Sequence, residues 1–586
     1  SALEPVRLTW DAALDDLQLP NAVFDKVQCS GTWDAPHLTV DRLHGVLDGR
    51  PVHLRGQVNV ATRRVEADGE LGLDVKRLGS LLTARTRDWL EDYGWVTPPA
   101  VQSRLWLTLP AWTNAHPDWR ADVQPTLGLD GSLEGTNGPY HFKGLPMDTV
   151  RFHFHHTNRV WLLTNFVATA PEGRLAFTYR EDQRTRDYRF DLDAHLDPHA
   201  LQPLVPTNYH RAFDLFAFRN PPAISGTVHG RWRAPERTAF SGTIDARDFS
   251  FRGDAIRQLQ ARLAFDTNRC LTARDVRLDA GQGEVTAAGV DLNTADGWLT
   301  LSDARSTVLP SRVTRAIGPR VEETLRPYAF HQPPAAHVQG RINVRRTRES
   351  DLHIALDGGP FSWWRFQVPR IKGLLHWQGD SLSITNLEAQ FYQGNLDGDF
   401  DFNFAAPHGA DFRFRTHLFN VNLHQMMADL WSPTNGLEGT LIGDLEITGA
   451  NTDNWKSWQG SGRAELLDGY LWDLPIAGIF SDALNRVLPG VAKARFGGLT
   501  ATYTITNSLI HTSDLALRSP ALRLAYRGTF DFEGNVDGRV EAQLLRDLSG
   551  IGSIVRVVLF PVTKLFEYKV SGTLTPPKEE ALYMPN

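Results

Sequence analysis

Three histidines, His153, His155 and His156, lie close enough in the sequence to suggest a metal site. His153 and His155 are two residues apart, so a strand would place both on the same face. A zinc site needs a third protein ligand. We therefore expect these histidines to lie on a solvated outer face, and we predict no metal.

Three acids at alternate positions, Asp397, Asp399 and Asp401, are similar to the acidic positions of a calcium loop. They alternate with Phe400 and Phe402, however, and this spacing fits the wet face of a strand better. We expect surface carboxylates here rather than a calcium site.

Catalytic signatures are weak in this sequence. The glycine-rich stretch 281–283 sits between predicted strands, and 550–553 lacks the strand-turn-helix context of a phosphate loop. We find no nucleophile elbow, no zinc-protease helix motif and no carboxylate pair suited to a polysaccharide-cleaving enzyme. The prediction is a protein that is not an enzyme and has no cofactor.

Charge and cysteine content exclude further classes. The formal net charge is −7 and no Lys/Arg-rich run is present, so nucleic acid is not an expected partner. Cys29 and Cys270 are too few and too far apart for a disulfide framework or a zinc site. We expect both to be unpaired residues of strands.

No apolar run approaches 18 residues, so the chain is expected to be soluble and without a transmembrane helix. It opens on Ser1 rather than on methionine, which is typical of a cleavage or cloning boundary. A signal sequence or membrane anchor is expected upstream of this start.

Alternation of apolar and polar residues, the signature of strands, recurs almost throughout the chain. Arg151, His153 and His155, for example, alternate with phenylalanines, so one face is aromatic and the other charged. The apolar members expected on one face are Phe152, Phe154, Leu175, Phe177, Tyr179, Phe190, Phe400, Phe402, Phe404, Phe412 and Phe414. Asp-Gly and Asn-Gly pairs predict hairpin turns between such strands. These pairs are Asp48-Gly49, Asp68-Gly69, Asp130-Gly131, Asn137-Gly138, Asp296-Gly297, Asp468-Gly469 and Asp537-Gly538.

The sequence also has a longer repeat, each copy of which contains several predicted strands. Segments rich in proline precede a strand at 93–100, 218–223 and 331–335, with a weaker copy at 432–436. The repeat unit is about 100–120 residues long, longer than common solenoid units. We therefore divide the chain into four β-groove repeats at 1–97, 98–220, 221–332 and 333–432, and a C-terminal region at 433–586.

Short amphipathic helices are predicted before these junctions, because apolar residues recur three, four or seven positions apart. The three stripes are Leu78, Leu82, Trp89 and Tyr93; Val313, Ile317, Val321 and Leu325, capped by Ser311; and Leu423, Met426, Met427 and Leu430. The junction after Asp197 has more prolines and predicts a poorer helix.

One short helix per repeat cannot cover five or six strands that are apolar on one face. The sheet must therefore pair with another sheet as a sandwich, or curl and leave an open apolar groove. We favour a mainly β fold, an elongated repeating antiparallel sheet curled into an apolar groove with short helices between repeats. Such a groove would hold acyl chains at about 0.8 kcal/mol per CH₂ group without specific polar contacts.

The sequence of the C-terminal region resembles that of a known family. It runs from the motif at 466–475 through an amphipathic helix, then through strands at 515–524 and 528–532, to the ending 561–574. This order resembles the C-terminal region of the AsmA-like family, whose superfamily includes the TamB and YhdP types. The resemblance implies a periplasmic β-groove protein that is tethered to the inner membrane by an N-terminal helix and moves phospholipid toward the outer membrane. It brings no catalytic motif.

Two apolar segments are expected at the end of the groove, where they either cap it or contact a membrane or partner. One is the helix at 476–488 and the other is the stretch 549–562, which is too short to span a bilayer. Their candidate contact residues are Ile479, Phe480, Leu484, Ile554, Val558 and Leu559.

The leading functional hypothesis is a carrier of phospholipid or another acyl-chain lipid between membranes. The alternative is a structural or assembly factor of the envelope that binds protein partners through its outer faces and sheet edges.

Overall fold

The chain is mainly β, as predicted, with 71% of residues in strands and 7% in helices. This computed structural model describes residues 6–19, 22–47, 50–71, 74, 76, 88, 90–204, 207, 210–317, 328–346, 348–363, 365–430, 432–470, 496–518, 522–544, 564–573 and 577–583.

The strands are numbered in chain order. Strands β1 to β10 are Arg7–Leu19, Ala22–Asp34, His37–Leu47, Arg50–Asn59, Arg64–Leu71, Tyr93–Trp95, Ala100–Thr108, Gly128–Gly135, Tyr140–Phe142 and Leu145–Met147. Strands β11 to β20 are Thr149–Thr157, Val160–Ala170, Gly173–Asp182, Asp187–Leu196, Phe216–Phe218, Ala223–Arg231, Ala234–Phe251, Asp254–Phe265, Cys270–Asp279 and Glu284–Asn293. Strands β21 to β30 are Trp298–Ser306, Tyr328–Phe330, Ala335–Asn343, Ser350–Gly358, Phe361–Trp363, Phe366–Val368, Arg370–Gln378, Ser381–Phe391, Gly394–Asn403 and Asp411–Asn422. Strands β31 to β38 are Glu438–Asn451, Asn454–Tyr470, Phe496–Thr506, Leu509–Arg518, Leu522–Asp531, Asn535–Leu544, Lys564–Thr573 and Pro577–Tyr583.

Helical segments are few and short. Those with described bounds are Trp119–Val123, Gln124–Thr126, Pro198–Leu204, His210–Phe213, Pro310–Ile317 and Leu423–Leu430. Among the described residues, no helix has the length and apolar character that crossing a membrane requires.

The chain divides into two compact units, 1–281 with 289–295, and 282–288 with 296–586. In the first unit, every long strand from β1 to β19 pairs antiparallel with the next long strand along the chain. In the second unit the same holds from β21 to β38. Among the described strands of each unit, no pairing joins the first strand to the last, so each unit is an open antiparallel meander. The finer division into five segments stays a prediction.

Seven three-residue strands are separate from the long ones among the described residues, and β6, β15 and β22 precede the proline junctions. β6, β9 and β10 form one small sheet, and β22, β25 and β26 form another. β15 pairs with the end of β17 instead. The Pro-Pro pairs of the first three junctions are each followed by an alanine that begins a long strand, at Ala100, Ala223 and Ala335. The predicted re-entry into strands is therefore confirmed at these three junctions.

The predicted helices have mixed outcomes. The third stripe forms the helix Leu423–Leu430, as predicted. The poorer helix after Asp197 is the 3₁₀ helix Pro198–Leu204, which contains Pro203. The second helix begins at Pro310, which suits the first helical position because its missing N–H needs no partner there. Ser311 thus lies inside the first turn, and its predicted capping role is wrong. Tyr93 belongs to a strand, not to a helix. The remaining predicted positions Leu78, Leu82, Trp89, Val321 and Leu325 lie outside the described residues.

The Asp-Gly rule fails at four of the predicted turns. Asn137-Gly138 and Asp296-Gly297 do lie between strands, and Asp48-Gly49 lies outside the described residues. The pairs inside strands are Asp68-Gly69, Asp130-Gly131, Asp468-Gly469 and Asp537-Gly538. At Gly131, a Cβ atom would clash with the backbone oxygen of Gln102 and would stand 2.7 Å from the ring of Phe154, each on a neighbouring strand. Glycine is needed there for the close approach of a backbone and an aromatic side chain, not for a turn.

Candidate functional site

Strand register gathers the aromatic residues of the first unit into cross-strand rows. Phe177 lies opposite Phe166 and Tyr179 lies opposite Phe190 in neighbouring strands. The rings are in contact, with centroids 3.9 Å apart for Phe166 and Phe177 and 4.6 Å apart for Tyr179 and Phe190. Phe152 extends the row, 5.6 Å from Phe166. Because side chains on a strand alternate, all these rings lie on one face of the sheet.

This aromatic face is only partly covered. All six residues that the sequence predicted to line it in the first unit are half-buried: Phe152, Phe154, Leu175, Phe177, Tyr179 and Phe190. Ring-to-ring contacts along the row bury part of each ring. Phe152 and Phe166 also pack against a buried cluster in which Tyr140 and Met147 of the small sheet contact Val150 and Ala168. The face therefore presents a row of rings that stay partly accessible.

The opposite face of the first unit is charged and paired. Arg189 binds Asp191 at 2.8 Å and Arg231 binds Asp187 at 2.7 Å. The Arg189 and Arg231 guanidinium groups lower the pKa of their partner carboxyl groups through hydrogen bonds. Exposed pairs of this kind add little to stability. These ion pairs keep the charged face hydrated, so only the aromatic face can bind an apolar ligand.

The histidine cluster divides between the two faces. His155 Nδ1 lies 2.9 Å from the carboxylate of Asp130, and His153 is exposed, as predicted for an outer face. His156 instead lies on the aromatic face, 4% exposed and packed on Trp161. Burial lowers the pKa of His156. The predicted outer position is therefore wrong for His156, because its strand position places it on the same side as the phenylalanines.

The second unit has an aromatic patch of the same kind. Phe400 lies opposite Phe414 with ring centroids 5.2 Å apart, and Phe402 lies opposite Phe412 at 6.0 Å. These four are half-buried, and Phe404 is 36% exposed. The predicted alternation thus places all five on one apolar surface.

The three acids of the same strand lie on its opposite face. Asp401 accepts hydrogen bonds from Ser383 at 2.6 Å and from Arg413 at 2.9 Å, and these lower its pKa. Asp399 accepts a hydrogen bond from the backbone N–H of Asn386. The carboxylates are arranged along a strand rather than around a point, as predicted.

The second unit also contains a filled core. Leu437, Leu524 and Tyr526 are completely buried, and Val540 and Leu517 of neighbouring strands pack in the same cluster. In the aromatic patch, Phe412 and Phe414 pack against a second buried cluster, which consists of Ile447, Ala450 and Ile505. A filled core is therefore present in this unit, and the open groove stays a prediction.

The predicted groove-end residues lie outside the described part of the chain. They are Ile479, Phe480, Leu484, Ile554, Val558 and Leu559.

One group of side chains among the described residues has the composition of a metal site. Asp351, His353 and His376 bring their ligand atoms within 4.8 Å of one another. His353 and His376 are cross-strand neighbours with stacked rings, and His376 Nε2 lies 3.0 Å from the Asp351 carboxylate. Sequence reasoning missed this group, because the two histidines are 23 positions apart and only the strand register brings them together.

A cavity of about 980 Å³ opens on the charged face of the second unit. Its wall includes Arg305, His337, Lys372, Glu388 and Asp399. Both signs of charge are present, so the lining does not select for a ligand of one charge. The cavity is separate from the aromatic patch, since its charged residues alternate with the phenylalanines along the strands.

A scan against profiles of known protein families found no match to this chain, and a search of curated protein sequences found none either.

Proposed function

We propose that this protein binds phospholipid or another acyl-chain lipid along its aromatic faces and transfers it between membranes. The observation that carries the proposal is the row of half-buried rings from Phe152 to Phe190, which lies opposite a charged, ion-paired face. Accessible apolar surface on one face of a sheet is a candidate interaction site. The polar contacts of the ring row lie at its border, where Tyr179 Oη donates to Glu181 and accepts from Trp232 Nε1, and an acyl chain along the phenylalanines needs no polar partner.

The energetics favour a chain-like ligand over a compact one. Neighbouring strands are about 4.8 Å apart, so a tail that crosses the rows contacts a new strand about every four CH₂ groups. Each CH₂ that leaves water contributes about 0.8 kcal/mol when fully buried. A face that covers only one side of the tail supplies part of this free energy at each strand. The tail can then bind and still move along the face.

The setting of this activity is part of the same proposal. The resemblance to the AsmA-like family suggests the periplasm, a tether to the inner membrane and phospholipid moving toward the outer membrane. It also suggests that the chain has no catalytic role.

The first experiment is native mass spectrometry of the full chain purified in a mild detergent, followed by extraction and identification of bound lipid. We expect several diacyl lipids per chain. A protein repeatedly free of lipid, and unable to take up a fluorescent phospholipid from vesicles, would instead point to the envelope assembly role, and cross-linking to partner proteins would then test that role.

A further inference from the structure

Five hairpin turns of the first unit end in an arginine that immediately precedes the next strand. All five have a positive φ, between 63° and 68°. They are Arg63, Arg159, Arg186, Arg233 and Arg269, which precede strands β5, β12, β14, β17 and β19.

Arginine is a poor choice for this backbone conformation, because a Cβ atom disfavours positive φ and glycine does not. Other turns of this protein use glycine in the same place. Gly253 precedes β18 on the opposite edge of the first unit, and Gly297 and Gly534 precede strands of the second unit. Because arginine recurs on one edge, we infer that its side chain, and not its backbone preference, is the reason for its presence in these turns.

The turns lie side by side along that edge. The carbonyl of Arg159 accepts a hydrogen bond from Gln183 N at 2.9 Å, and the carbonyl of Arg186 accepts one from Trp232 N at 3.0 Å. Arg269 is tied in the same way to Thr294 N. Successive turns on this edge are two strands apart, so the arginines from Arg159 to Arg269 are spaced by about 10 Å, whereas Arg63 lies four strands, or about 19 Å, before Arg159. We call this row of five the arginine rim.

The five rim arginines take no part in the ion pairs described for the first unit. Within the described residues, the structure gives none of the five guanidinium groups a carboxylate partner. The acids in these turns have other contacts: Asp182 binds Arg184 at 2.9 Å, and Asp266 accepts hydrogen bonds from the backbone of Asn268 and Cys270.

The rim also borders the aromatic face. Trp232, next to Arg233, is 44% exposed, and its ring lies 4.5 Å from that of Tyr188, which contacts Phe190. Trp112 is 61% exposed and donates a hydrogen bond to the carbonyl of Val60 in the turn that contains Arg63. Tryptophan suits a boundary between apolar and wet surroundings.

We propose that the arginine rim binds the phosphate groups of phospholipids whose acyl chains lie on the aromatic face of the first unit. This inference rests on the proposed function and narrows its ligand to lipids with an anionic headgroup. Arginine binds phosphate through two parallel N–H donors, and an exposed row of such groups is complementary to a file of headgroups.

The test compares two fluorescent probes with the same dioleoyl tails, phosphatidylglycerol and diacylglycerol, bound to the full chain. The rim variant is Arg159→Gly/Arg186→Gly/Arg233→Gly, and glycine suits the positive φ at each site, so folding is preserved. The control is Arg151→Gln/Arg180→Gln/Arg277→Gln, which removes the same charge from exposed positions of the charged face. We expect the rim variant to bind phosphatidylglycerol about fivefold more weakly, with the difference lost at about 1 M salt. Diacylglycerol binding stays unchanged, and the control changes neither affinity.

Four results would each overturn the inference. Suppose that both probes bind the wild type. If the rim variant then keeps its affinity for phosphatidylglycerol, or if the control variant loses as much affinity as the rim variant, the rim has no specific role and the proposed function stands. If neither probe binds the wild type, the proposed function fails as well. If the rim variant loses only its adsorption to phosphatidylglycerol vesicles, with bound lipid unchanged, the arginines serve to dock the protein on a membrane.

Discussion

A charge placed on the aromatic face should expel lipid, whereas the same charge one residue away should not. Phe154 is half-buried on the aromatic face, and His153, its neighbour in the same strand, is exposed on the charged face. The pair Phe154→Glu and His153→Glu therefore introduces the same carboxylate on opposite sides of one strand.

The magnitude follows from the strand geometry. A carboxylate at position 154 denies a crossing tail about one strand width, or about four CH₂ groups. Complete burial of those groups would be worth about 3 kcal/mol. Since the neighbouring rings are half-buried, we take half of this value, which corresponds to about tenfold weaker binding.

The assay is equilibrium binding of a fluorescent phospholipid to delipidated full-length chain, with circular dichroism and thermal unfolding as checks on the fold. His153→Glu should bind within twofold of the wild type, because position 153 lies opposite Ser132 and Thr164, which carry no charge.

Equal losses of affinity in the two variants would refute the assignment of the aromatic face as the lipid site. So would full binding by Phe154→Glu with an intact fold, because the tails would then lie elsewhere.

Three further predictions concern stability. Gly131→Ala should destabilise the first unit by about 1–3 kcal/mol, because its new Cβ meets the backbone oxygen of Gln102 and the ring of Phe154. Gly449→Ala, with nothing within 4 Å, should be neutral in the same urea titration. Leu524→Ala, at a fully buried site, should lower the free energy of unfolding by about 3–4 kcal/mol, and Phe177→Ala on the aromatic face by about 1–2 kcal/mol. Local hydrogen exchange measures both values. Equal losses would mean that the aromatic face is closed. Burial raises the pKa of Tyr526 to about 12. Its contribution to stability is therefore intact below pH 10, the pKa of the unfolded chain, and is lost as the pH rises from 10 to 12. Tyr526→Phe should flatten the plot of unfolding free energy against pH in this range, and an unchanged plot would contradict the assignment.

The aromatic faces were predictable because their signal is local. Phe400 and Phe402 alternate with acids in a single strand, and a period of two fixes which side chains share a face. No knowledge of the neighbouring strands was needed to place them.

The Asp-Gly pairs show where this reasoning ends. In Asp130-Gly131, the aspartate points to the charged face and meets His155, while the glycine makes room for Phe154 on the other face. Both partners lie on the next strand, more than 20 residues away in the chain. The pair therefore has the composition of a turn for reasons that only the strand register reveals.

The arginine rim was missed for a related reason. Turn residues are recognised in sequence by their backbone preference, and arginine has none for positive φ. Asn158 before Arg159 is the one conventional signal in that two-residue turn. Only the repetition of φ along one edge distinguishes these arginines from ordinary surface charges.

The pairing of each long strand with its neighbours along the chain has a consequence for how the protein is made. Nearly every backbone partner of a strand lies within the preceding or following hairpin, so a strand leaving the ribosome finds its docking edge already in place. Each completed hairpin exposes a fresh edge for the next, and folding can keep pace with synthesis. The same rule makes length adjustable: inserting or deleting one hairpin, two strands at a time, preserves the register and both faces of everything on either side.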